Sequence, residues 1–143
     1  MKNNYKSITS FLTIAGTIPF LFYLVLKIRS EDGEMCPCFK IEYLKAYSLM
    51  IIAFISGYIW SYAYQKKSSR LALVAVLGSL LPWLNFIFNH SEYYFVVDIT
   101  YYVALLLIEG EKYDDHNSSK WYFKLRILTT FLVVSSLIGI TYL

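Results

Sequence analysis

Asp98 has the residue type and setting most open to chemistry in this 143-residue chain. It stands inside the apolar run 93–108, and a carboxylate in a bilayer-spanning helix costs roughly 2.5–3.5 kcal/mol on insertion scales, so it faces protein or water. There it could act as a proton or cation site, or as the partner of a buried base. A plainer reading fits as well. Asp98 follows Tyr93 by five residues, or about 7 Å at helical rise, near enough to an interface to draw on water and on the positive end of its own helix. Arg126 is about one turn into the last apolar run. It could snorkel to headgroups, bind an acidic lipid head or pair with Glu109 or Glu111. Trp60, beside Gly57, could recognise a ligand or fill volume next to a close helix contact. The unit Met35-Cys36-Pro37-Cys38 offers soft sulfur ligands suited to Cu(I), or a pair of ordinary loop thiols. His90 and His116 fall in loops on opposite faces and cannot share a metal. The sequence holds no phosphate-cradling glycine loop, no G-x-S-x-G and no H-E-x-x-H, and it implies no cofactor.

Five apolar runs must position these residues: about 8–28, 47–64, 71–88, 93–108 and 121–143. The run 47–64 carries no charge and is flanked by Lys45 and by Lys66-Lys67. At 1.5 Å per residue it extends about 27 Å, close to the hydrocarbon thickness of a bilayer. Gly16 and Pro19 sit near the centre of the first run and predict a kink there, with Thr13 and Thr17 placed to satisfy freed carbonyls. Pro82-Trp83 predicts a second break in the third run. Ser48, Ala53, Ser56, Gly57, Ser61 and Ala63, and the pair Ser135 and Gly139, mark faces where another helix could approach. The fourth run is the shortest and is rich in tyrosine.

The composition agrees: 57% hydrophobic and 16% charged, against about a quarter charged for an ordinary soluble domain. The net charge of +3 does not imply nucleic acid, because the 13 Lys and Arg lie between apolar runs rather than in one patch. They read as topology signals. Nine fall in the N-terminal segment and in the second and fourth loops, and four in the first loop. The positive-inside rule therefore places the N-terminus in the cytoplasm and the C-terminus outside. The expected class is an all-α membrane protein, a compact bundle of about five transmembrane helices forming one domain. The first, second and last spans are expected to form its core.

Several stretches resemble the transmembrane protein 69 family, also described as domain of unknown function 3429. Gly16–Phe20 is similar to its first-helix signature of glycine followed by Ile-Pro-Phe. Phe54, Gly57 and Trp60 stand in register with its second-helix pattern, while Ser56, Ile59 and Ser61 replace a glycine, a histidine and a glycine. Leu80-Leu81-Pro82-Trp83 resembles its third helix. Trp121-Tyr122, Leu125-Arg126 and Leu128-Thr129 resemble its closing Trp-Tyr-x-x-Leu-Arg-x-x-Leu-Thr signature. The resemblance covers nearly the whole chain and implies the fold, with no activity attached.

The expected function is that of a small, non-enzymatic integral membrane protein, an accessory or assembly component of a larger membrane complex. Its expected location is a bacterial inner membrane. The expected partners are the lipid bilayer and a membrane protein or a second copy of the chain. The alternative is a small carrier, or a lipid- or proton-handling protein, using Asp98.

Overall fold

A computed structural model describes residues 2–29, 40–89, 93–113 and 120–142, with the backbone alone at 2–5 and 111–113. The unit Met35–Cys38, His90 and His116 lie outside the described residues. Every described element is an α-helix: α1 (Lys2–Ala15), α2 (Ile18–Arg29), α3 (Ile41–Lys66), α4 (Ser69–Phe88), α5 (Tyr94–Tyr113) and α6 (Lys120–Tyr142). Four stretches are long and apolar enough to cross a membrane: Lys6–Arg29, Ile41–Lys66, Ser69–Phe88 and Lys120–Tyr142. The all-α membrane class stands.

The first span is two helices, α1 and α2, separated at Gly16-Thr17. Pro19 is the second residue of α2, where its fixed φ and missing N–H are tolerated. The Thr17 hydroxyl donates to the Ile14 carbonyl at 2.8 Å and the Thr13 hydroxyl to that of Thr9 at 2.8 Å, so neither threonine takes up the Ala15 carbonyl that Pro19 leaves without its N–H. Pro82 behaves differently from expectation. It does not break α4, which runs unbroken from Ser69 to Phe88 with Pro82 buried inside it. The ring removes only the bond its N–H would give the Gly78 carbonyl, and the helix continues on the others.

The chain divides into two units, which are described in turn. The first unit comprises Met1–Phe39 with Leu106–Leu143. In it α6 packs on α2 and on α1. Leu24 of α2 lies so close to Gly139 that a Cβ there would fall 2.8 Å from its Cδ1. Lys27 Nζ donates to the Ile140 carbonyl at 2.5 Å, and Lys6 Nζ lies 5.9 Å from the Trp121 ring centroid. Ser136, rather than the expected Ser135, turns inward. At the other end of α6, Gly110 of α5 faces Phe123.

These contacts fix a count. Lys6 meets Trp121 near the starts of the first and last spans, and Lys27 meets Ile140 near their ends, so the two run parallel. Spans that run parallel in a bilayer are separated by an odd number of crossings. One or all three of the intervening helices must then cross; α3 and α4 are both long and apolar enough to do so, and with both crossing the count is completed by α5, whose Asp98, Glu109 and Glu111 keep it outside the four strongly apolar stretches.

The second unit is Lys40–Leu105. Here α3 and α4 form an antiparallel hairpin whose turn is built from local chemistry. Lys67 takes φ 51° and ψ 37°, a left-handed conformation. Its N–H bonds to the Tyr64 carbonyl at 3.2 Å, and the Ser68 N–H returns to Ala63 at 3.0 Å, the double closure that ends many helices. The Ser68 hydroxyl then accepts from the Leu71 N–H at 3.4 Å and caps α4. The hairpin closes tightly at Gly78, where a Cβ would lie 2.8 Å from Ser56 Oγ and 3.2 Å from Leu105 Cδ2.

Candidate functional site

The buried face of α5 includes Tyr94, Phe95, Asp98, Tyr102, Leu105 and Glu109. Asp98, Tyr102, Leu105 and Glu109 recur at helical spacing along it. Asp98, with no exposed surface, belongs to the second unit and is held from two helices. Ser48 Oγ of α3 donates to Asp98 Oδ2 at 2.5 Å. Asn85 Nδ2 of α4 reaches Asp98 Oδ1 at 3.5 Å and the Tyr94 carbonyl at 3.4 Å. Around this centre, the Tyr102 hydroxyl donates to the Ser48 carbonyl at 3.3 Å and lies 3.4 Å from Ser48 Oγ. Tyr94 donates to the Lys45 carbonyl at 3.5 Å, and Lys45 Nζ lies 4.7 Å from the Tyr94 ring centroid. Asn89 Nδ2 donates to Asn85 Oδ1 at 2.9 Å and so fixes the amide.

The expectation that Asp98 takes water at an interface is thus replaced by enclosure, with both oxygens engaged by neutral side chains. Chemically, the arrangement joins α3, α4 and α5 at one carboxyl. A metal ion would need further donors, and no group of three His, Cys, Asp or Glu able to hold one occurs among the described residues.

Asp98 stands out in the sequence, but its partners do not. Ser48 reads there only as a small residue on a packing face. Asn85 carried a readable signal, as an amide in an otherwise apolar span that needs a hydrogen-bond partner in lipid.

The second buried carboxylate is Glu109, 2% exposed, in the first unit. Arg126 Nε meets Glu109 Oε2 at 3.1 Å, one of the pairings the sequence suggested, while Glu109 Oε1 is buried with no hydrogen-bond partner among the described residues. Gly57 and Trp60 face outward among the described residues. Beyond the backbone of its own helix and its chain neighbours, no atom of the described residues lies within 4 Å of the position a Gly57 Cβ would occupy, and Trp60 is 50% exposed. The buried face of α3 is Leu44, Ser48, Ile52, Ile55, Ser56, Ile59 and Ala63, and Gly57 lies 100° round the helix from Ser56. The close glycine contact of the hairpin is made by Gly78 instead. Trp83 is also half-exposed beside buried Pro82, whereas Gly16 lies at the break between α1 and α2.

Residues 5–142 match the family model described as Protein of unknown function (DUF3429). The chain belongs to this family. No curated protein and no solved structure matches it. For this member of DUF3429 the resemblance to transmembrane protein 69 is one of sequence motifs alone.

Proposed function

We propose that this DUF3429 protein is a non-enzymatic accessory or assembly component of a larger membrane complex, seated in a bacterial inner membrane with its N-terminus in the cytoplasm. The enclosure of Asp98 carries the reading. Both carboxyl oxygens are spent on Ser48 and Asn85, so the most chemically capable group of the spans is used to join helices. A carrier needs its charged group to meet solvent on each side in turn. The large side chains turned outward, among them Phe11, Phe22, Met50, Phe54 and Phe131, suit contact with lipid and with other spans. The orientation follows from the excess of Lys and Arg in the N-terminal segment and in the second and fourth loops.

The test is native mass spectrometry of the tagged protein, taken from its own membrane directly into nanodiscs. The expected result is a stoichiometric membrane-protein partner that persists with Asp98→Asn. A partner-free protein that moves protons or a solute into vesicles, with the flux lost in Asp98→Asn, would overturn the proposal in favour of a carrier.

A further inference from the structure

The turn between α3 and α4 is the most strongly charged feature left unused. Residues 43–91 contain no Asp or Glu, while Lys66, Lys67 and Arg70 fall together at the turn. The side chains of Lys67 and Arg70 form no ion pair or hydrogen bond among the described residues. Beside them lies an open groove of about 530 Å³ lined by Trp60, Ala63, Tyr64, Gln65, Lys67, Ser68, Ser69 and Ala72. Its polar end carries a cation and two serines. Its other end carries Trp60, 50% exposed, and Tyr64, 82% exposed, the amphipathic rings characteristic of the headgroup level of a membrane.

The exposed face of α3 continues the groove. Tyr64, Trp60, Gly57 and Ala53 are outward-facing and share one side of the helix at spacings of three and four residues. Tyr64 to Ala53 spans about 16 Å of helix. Above the two rings the side chains shrink to a hydrogen and a methyl, and the space over Gly57 is open. The face thus passes from cation to aromatic ring to bare backbone, in the order that a phospholipid passes from phosphate to glycerol to acyl chain.

We propose that this groove binds one anionic phospholipid, its phosphate against Lys67 and the serines and one acyl chain along Trp60 and Gly57. The unpaired positive charge selects an anionic headgroup over a zwitterionic one, and the open track over Gly57 distinguishes a seated lipid from a diffuse surface cloud. The proposal is independent of the assembly role.

The full-length protein, stripped of lipid in detergent, would be offered equal amounts of phosphatidylglycerol and phosphatidylcholine with matched chains, and binding read by native mass spectrometry. Wild type should retain one phosphatidylglycerol in preference to phosphatidylcholine. Each basic residue near an anionic surface contributes about a fivefold gain in affinity, so Lys67→Asn with Arg70→Gln should weaken retention about 25-fold. Asparagine tolerates the left-handed backbone at 67, which keeps the turn. Gly57→Leu adds a side chain where nothing stands in its way and should lower retention of the lipid without lowering the melting temperature. Lys120→Gln with Lys124→Gln, in the first unit, should change nothing. Equal retention of both lipids would overturn the proposal. So would a Lys67/Arg70 variant that binds as wild type does, or a Lys120/Lys124 variant that loses as much. Full displacement by inorganic phosphate, or a dimer that Gly57→Leu abolishes in place of bound lipid, would overturn it too.

Discussion

Ser48→Ala is the sharpest test of the enclosure of Asp98. The substitution removes one hydroxyl, and both residues of the pair have no exposed surface, so bulk water does not replace the lost donor. The 2.5 Å separation of Ser48 Oγ and Asp98 Oδ2 is in the range of charge-assisted O–H···O bonds, which contribute about 1.5–3 kcal/mol in soluble proteins. Interhelical bonds in membranes are weaker, averaging about 0.6 and reaching about 1.7 kcal/mol, because the separated helices find other partners in the bilayer. Asp98 has one other side-chain donor, Asn85 at 3.5 Å, so the upper end of the membrane range applies and Ser48→Ala should cost about 1.5 kcal/mol. Asp98→Asn keeps the shape and one acceptor and should cost less. The two changes should couple by about 1 kcal/mol in a double-mutant cycle, since they remove parts of the same bond. Reversible unfolding by dodecyl sulfate in bicelles, followed by circular dichroism, measures all four corners. A single-mutant cost under about 0.3 kcal/mol, or fully additive effects, would refute the account of Asp98 as an interhelical tie.

Arg126→Gln should destabilise the protein by about 3–5 kcal/mol by leaving the Glu109 charge buried and unpaired, and pairing it with Glu109→Gln should recover much of that loss; the same unfolding assay decides. Gly78→Val should cost about 1–3 kcal/mol through overpacking against Ser56 and Leu105, whereas Gly57→Leu should be neutral or stabilising, and similar losses at both sites would contradict the hairpin geometry. Lys67→Gly should raise stability by about 1 kcal/mol, because the left-handed backbone at φ 51° strains any residue with a Cβ. Single cysteines placed at Ser68 and Tyr93 should react with an impermeant reagent from opposite faces of the membrane, and labelling of both from one face would remove α4 from the count of crossings.

The spans were legible because length, apolarity and flanking charge are one-dimensional properties. Residues 47–64 fall within α3 and residues 71–88 within α4 for that reason. The face that each helix buries was not legible. In α3 the residues Ser56 and Gly57 look equally suited to close contact, yet they lie 100° apart and only Ser56 meets α4. An outward-facing span in lipid is apolar all round, so the polar-outside pattern that phases a soluble helix is missing. Pro82 failed as a predictor for a related reason. A proline removes one hydrogen bond, and whether the helix then breaks depends on what surrounds it; at Pro19 a Gly-Thr pair lies just before it, while Pro82 sits mid-helix with its neighbours still bonded. Among the candidate site residues, Asp98 was visible from its type and place, and Arg126 with Glu109 from type and topology. Ser48 and Asn85 belong to spans whose rotation about their own axes brings them to Asp98, and rotation is a tertiary property.

The helix least suited to lipid explains the order of the rest. α5 carries Asp98 and Glu109, and its crossing follows from the parallel course of the first and last spans with α3 and α4 both crossing, rather than from its own apolarity. Each carboxylate is met by a helix that does suit lipid: Asp98 by Ser48 of α3 and Asn85 of α4, Glu109 by Arg126 of α6. Eleven residues separate the two acids, a little over three turns, which puts both on the buried side of one helix. A carboxylate costs several kcal/mol in a lone span but far less once a donor from a neighbouring helix reaches it. The polar side chains of α3, α4 and α6 are therefore the condition for α5 to cross at all. Ser48, Asn85 and Arg126 thereby hold both buried acids of α5, each within its own unit.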